Sequence, residues 1–130
     1  MTDQDTAATT DATTDADTVA LWPAIDDLWS RLESAPARTG TEGVLFRVLK
    51  LSEEVGEVAE AVIGTTGQNP RKGITHTWED VQAELCDVAV TALVALRTLT
   101  PRAREVFEGH LKGVRDRPLG CDRFRRTRGP

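Results

Sequence analysis

An all-α fold is what this sequence predicts: a four-helix-bundle-like domain behind a disordered N-terminal tail. Three observations support it. Apolar residues recur at spacings of three and four along four separate stretches, and no stretch alternates convincingly in the manner of a strand. Thr77 followed by Asp80 has the form of a capping box at a helix start. Pro36, Gly40, Pro101 and Pro118 fall between or after these stretches, where helix breakers belong.

The tail comes first. Residues 1–17 are nearly all Thr, Ala and Asp, with one Gln and no large apolar side chain beyond Met1. Such a segment cannot bury enough surface to offset its chain entropy, so disorder is expected through residue 18. It has no basic start and no apolar run, and so does not read as a signal peptide. A helical domain is expected over 19–117, with a basic extension over 118–130.

The first helix is expected from about Val19 to Ser34, with Ile25, Leu28, Trp29 and Leu32 as one stripe. Pro23 lies near its start, where proline is tolerated. The second should run from Thr41 or Glu42 to Ile63. Its expected buried face is Leu45, Val48, Leu49, Val55, Val58, Ala59 and Val62, and Gly64 supplies the stop. The loop over 65–73 is longer than a bundle connection needs, and such loops often carry function. The third helix follows the cap at Thr77 and meets an interruption at Pro101. Val81, Leu85, Val88, Ala89, Ala92, Leu93, Leu96 and Leu99 form its broad apolar face, with Cys86 expected as a small core residue. The fourth, from about Arg102 to Arg115, carries Val106, Phe107, Leu111 and Val114.

Charge and composition narrow the function. Net charge is −5, but the tail holds Asp3, Asp5, Asp11, Asp15 and Asp17, and the rest balances 16 acids against 16 bases. A near-neutral folded part argues against nucleic acid as a partner, despite the basic C-terminal end. No apolar run is long enough to span a membrane. Cys86 and Cys121 lack CxxC or Cys/His spacing, which speaks against zinc and against a disulfide framework, and a reducing cytoplasm is the expected compartment. A helical domain this small buries surface poorly alone, so a homo-oligomer sharing helix faces is expected.

Two acidic clusters carry the chemistry: Glu53-Glu54-Val55-Gly56-Glu57 and Glu84-Leu85-Cys86-Asp87. Each places a carboxylate pair one helical turn apart, Glu54 with Glu57 and Glu84 with Asp87. The acids border the apolar stripes rather than opposing them, as they would at a helix–helix groove. A solvated face explains either cluster alone; two matched pairs on neighbouring helices favour a metal. Four converging acids repel one another unless cations or protons neutralise them. Hard oxygen ligands suit Mg²⁺ or Mn²⁺. Gly56 costs its helix about 1 kcal/mol relative to alanine and hints at close approach by a helix or a ligand. The Glu-x-x-His pairs of a di-iron bundle are missing. The segment from Gly67 to Gly73 lacks the Gly-Lys-Ser/Thr ending of a phosphate-binding loop.

These residues support a resemblance. Glu53 to Glu57 followed by Glu84 to Asp87 resembles the EExxE…ExxD signature of MazG-like proteins, within the all-α nucleoside triphosphate pyrophosphohydrolases. The similarity covers roughly Val19 to Arg117. It implies Mg²⁺-dependent cleavage of a nucleoside triphosphate to monophosphate and pyrophosphate, with Mn²⁺ as a substitute ion, by a homodimer or homotetramer. By motif position the metal ligands are Glu54, Glu57, Glu84 and Asp87. Glu53 is the extra acid that orients or deprotonates water, or holds a further metal. Lys50, Arg71, Lys72, Lys112, Arg115 and Arg117 are the candidates for phosphate contact, and Trp22, Trp78 and Asn69 for the base. Competing expectations are a narrower dUTPase or dCTPase of the same superfamily, and a helical partner- or nucleotide-binding protein without turnover.

Overall fold

A computed structural model of the protein describes residues 19–34 and 40–118. It contains four helices and, among the described residues, no strand: α1 (Leu21–Glu33), α2 (Gly40–Thr66), α3 (Trp78–Leu99) and α4 (Ala103–Arg115). The fold is all-α, as the spacing of apolar residues predicts. The N-terminal tail and the arginines from Arg123 onward lie outside the described residues.

Local chemistry sets the helix ends. At the start of α3, Thr77 Oγ1 accepts from the Asp80 amide at 3.2 Å, and Asp80 Oδ2 accepts from the Thr77 amide at 2.8 Å. These bonds hold the Asp80 carboxyl below its ordinary value, the backbone N–H contributing most. A carboxylate lowered in the folded state stabilises above its unfolded pKa, and that contribution is lost as pH falls through the folded one. Asp80→Ala should therefore melt below the parent chain at neutral pH. The gap should close as acid carries the sample below the ordinary aspartate value of 3.8, followed by circular dichroism. At the other end, Thr100 is extended (φ −152°, ψ 135°) ahead of Pro101, and α3 stops at Leu99.

The end of α2 departs from expectation. The helix continues past Ile63 and Gly64 to Thr66. Gly64 is buried inside it, and Gly67, at φ 61°, is the residue that ends it. The Gln68 amide then donates to the Ile63 carbonyl at 3.1 Å, the closing bond of a Schellman turn. Gly64 serves packing instead. The 67–77 loop folds back over it, and the Thr75 amide donates to the Gly64 carbonyl at 3.0 Å.

Helices α2 and α3 run antiparallel along most of their length. Arg47 Nη1 donates to Thr98 Oγ1 (2.7 Å) near one end, and Thr65 Oγ1 donates to the Thr77 carbonyl (2.9 Å) near the other. Helix α1 lies against α3 through Ile25, which packs with Leu93 and Val94. Arg97 ties the same pair: its Nε meets Asp26 Oδ1 at 2.6 Å and its guanidinium sits 4.1 Å above the Trp29 ring. Trp22 meets Phe107 edge-on at 5.9 Å between ring centres, which brings α4 onto this cluster.

The buried face of α2 is not the expected one. Leu45, Leu49 and Val55 are 58%, 61% and 53% exposed, and Val48 and Val62 are exposed as well. The buried positions of α2 are Gly43, Glu54, Ala61 and Gly64, the last covered by Thr75 and His76 of the returning loop. Apart from Glu54 these are small residues, while large apolar residues of the same helix are left exposed. Cys86 is also exposed rather than part of the core. Among the described residues, no helix is long and apolar enough to cross a membrane.

Candidate metal centre

Packing α2 on α3 brings acids from both sequence clusters together. Glu54, Glu84 and Asp87 each offer a carboxylate oxygen, and the three oxygens lie within 4.8 Å of one another. Glu54 is buried at 6% exposure, Glu84 is half-buried and Asp87 is exposed, so the trio opens from the helix interface toward solvent. Anionic oxygens grouped in this way could hold a metal ion. Octahedral coordination at about 2.1 Å places adjacent ligand oxygens about 3 Å apart, so the three carboxylates would have to draw together to share such an ion.

Glu54 is the pivot of the cluster. Lys50 Nζ lies 2.7 Å from Glu54 Oε1 and 3.2 Å from Glu53 Oε2. The ammonium holds the Glu54 carboxyl below the ordinary range, helped by hydrogen bonds from Glu57 and from Thr91 on α3. The two carboxylates in turn raise Lys50. Glu57 is pushed the other way. Its carboxyl is raised, chiefly because it shares a hydrogen bond with ionised Glu54, with burial and the charges of Glu54, Glu84 and Glu53 adding to the effect. This is the behaviour of coupled carboxylates in one site: one ionises at the expense of its neighbour.

The remaining sequence candidates occupy varied places. Glu57 stands beside Glu54 but outside the trio of converging oxygens. Glu53 lies on the open flank, its side chain 64% exposed and bonded to Lys50. Trp22 is engaged with the core and Phe107, a packing duty that local sequence does not reveal. Trp78 is exposed at the start of α3. Asn69 shapes its own turn, with its side chain accepting from the Arg71 amide (3.1 Å) and its carbonyl accepting from Lys72 and Gly73. Asn69 and Lys72 also line a cleft of about 340 Å³ with Gly56, Ala59 and Ile63, between α2 and the returning loop. Arg71, Lys112, Arg115 and Arg117 are exposed, and Arg115 pairs with Asp116 at 2.9 Å.

A second cleft, of about 170 Å³, borders the acids directly. Leu28, Leu32, Val90 and Val94 line it with Arg47 and with Lys50 and Thr91, the two residues that also bond to Glu54. The helical spacing places Leu28 and Leu32 in a core stripe, and nothing in the sequence marks them as walls of a cleft next to the site. Gly56 is likewise open: a Cβ there would meet nothing within 4 Å. Packing inside the described chain therefore does not account for its cost to α2.

No family model matches this chain, and no curated protein or solved structure matches it.

Proposed function

We propose that this protein is a divalent-metal-dependent nucleoside triphosphate pyrophosphohydrolase, releasing nucleoside monophosphate and pyrophosphate in the clearance of nucleotides. One observation carries the reading: Glu54, Glu84 and Asp87 converge across α2 and α3, at the positions the MazG-like motif reserves for metal ligands. Glu57 completes the acid set beside Glu54. A bound Mg²⁺ or Mn²⁺ supplies Lewis-acid polarisation of the phosphate oxygens.

The chain's own residues supply positioning. Glu53, on the open flank, orients the attacking water toward the α-phosphorus and accepts its proton as pyrophosphate leaves. Lys50 and Thr91 stand where the acid cluster meets the apolar cleft, so that cleft is the place we assign to the nucleoside. Its Leu and Val walls suit the faces of a base, with Arg47 and Lys50 as the cations on the same lining. A second copy of the chain fits the exposed apolar residues of α2 and α4, such as Leu45, Leu49, Leu111 and Val114, and the open position at Gly56.

The test is a panel of canonical, deoxy and modified nucleoside triphosphates with Mg²⁺ and with Mn²⁺. Metal-dependent release of pyrophosphate from at least one of them is the expected outcome, and the preferred base would separate a broad enzyme from a dUTPase or dCTPase. Orthophosphate alone would identify a phosphatase. Silence across the panel would favour a binding protein without turnover.

A further inference from the structure

Glu54 presents a problem that its neighbour solves. An ionised carboxylate at a helix–helix interface, with Glu57 and Glu84 close by, is strongly disfavoured unless a cation stands against it. In this structure that cation is part of the chain. Lys50 lies one turn earlier on α2, where it shares the lining of the smaller cleft with Leu28, Leu32 and Val90, and its ammonium stands 2.7 Å from Glu54 Oε1. The same ammonium also bonds to Glu53 at 3.2 Å, on the solvent side.

We propose that Lys50 is the resident cation of the acid cluster, and that a divalent ion can reach Glu54 only as the Lys50 ammonium withdraws from it. This rests on the metal-dependent reading above and names how that site is regulated. Glu54 is both the closer partner of Lys50 and the buried member of the converging trio, so the two cations compete for one carboxylate. An ion on the other oxygen of Glu54 would set two positive charges across a single carboxylate, where they repel each other and divide its negative charge. The exchange is built into the geometry. The Lys50 side chain is 53% exposed, and Glu53, itself exposed, can retain the ammonium at the mouth of the site after Glu54 lets go. Held there, Lys50 neutralises carboxylate in the empty site and anionic substrate in the loaded one. The lysine thus keeps the cluster folded without metal and sets the metal concentration at which the site fills.

The experiment is calorimetric titration of Mn²⁺ into the full chain and into its Lys50→Met and Lys50→Arg variants, with melting of each in chelator. Lys50→Met is expected to bind Mn²⁺ about tenfold or more tightly than the parent, to melt lower in chelator, and to regain its midpoint when Mn²⁺ is added. Lys50→Arg, which keeps the charge, should stay near the parent. Binding by Lys50→Met alone would also support the exchange. Equal affinities, or weaker binding by Lys50→Met, would overturn it and leave the metal reading standing. An absence of binding by all three chains would remove the metal reading itself, and the exchange with it. If Lys50→Met fails to fold, Mg²⁺ titration of the parent decides, read from the Lys50 ammonium resonance. A resonance perturbed by Mg²⁺ in step with binding supports displacement, and one unmoved at saturation excludes it.

Discussion

Replacing Glu57 with Gln should abolish metal-dependent turnover and, in the same protein, raise the melting temperature measured in chelator. The two effects have one origin. Glu57 is a carboxyl forced against ionised Glu54 and within the field of Glu84 and Glu53, so its proton is held more tightly in the folded chain than in the unfolded one. A group raised in this way stabilises the fold at low pH, and that contribution is lost as pH rises through the folded pKa. At neutral pH the ionised side chain therefore works against the fold. Glutamine removes the charge, keeps the shape and can donate to Glu54. Its advantage in chelator should shrink as pH falls through the raised folded value toward the ordinary glutamate value of 4.5, below which the parent is itself protonated. Function asks the opposite of the same residue. An acid set short of one carboxylate loses charge stabilisation at the metal, and a loss of several kcal/mol corresponds to a fall of about 1000-fold or more in kcat. Pyrophosphate release with Mg²⁺ and thermal melts in chelator are the two measurements. Retained activity would take Glu57 out of the site, and an unchanged or lower midpoint at neutral pH would contradict the coupling between the carboxylates.

What the sequence reveals about this fold divides along the range of the interactions involved. The capping box at Thr77 and the interruption at Pro101 depend on residues within one turn, and both are legible by inspection. The convergence of Glu54 with Glu84 and Asp87 is legible for a related reason. Acids flanking an apolar stripe on consecutive helices have few places to go other than the groove between them. The burial of α2 is not legible. Its apolar residues surround much of a 27-residue helix, and periodicity finds a stripe without saying which neighbour covers it. Burial on this helix falls on the small residues Gly43, Ala61 and Gly64 together with Glu54, whereas Leu45, Leu49 and Val55 are exposed. Lys50 shows a further limit. Its spacing from Glu53 and Glu54 suggests an ion pair, but only the burial of Glu54 makes that pair necessary. Trp22, too, is assigned by packing with Phe107, a contact between residues far apart in sequence.

Gly64→Val should lower the stability of the whole domain, although glycine near a helix end is ordinarily replaceable. A Cβ at position 64 would collide with the His76 ring, meeting its Nδ1 and coming within 2.9 Å of its Cγ, and would stand 2.6 Å from Thr75 Oγ1. Turning either side chain aside breaks the bond between them. Thr75 Oγ1 and His76 Nδ1 are bonded to each other at 2.9 Å, and the Thr75 backbone is pinned to α2 by the bond from its amide to the Gly64 carbonyl. The loop must therefore lift from α2, which strains the lead-in to the cap at Thr77 and the start of α3. Overpacking of this kind costs about 1–3 kcal/mol. For a domain of this size each kcal/mol lowers the melting midpoint by about 4–8 °C. Gly67→Ala makes a control with a different cause. There a Cβ would press Ile74 Cγ1 at 3.3 Å, which side-chain adjustment can relieve, and the φ of 61° is unfavourable for a side chain, so the cost should be nearer 1 kcal/mol. Melting curves separate the two positions. If Gly64 were the helix stop, substitutions at 64 and 67 would exchange their effects. If it is the point where the returning loop closes on α2, Val at 64 should be the more damaging, and His76→Ala in the same chain should restore part of the loss by making room for the new side chain.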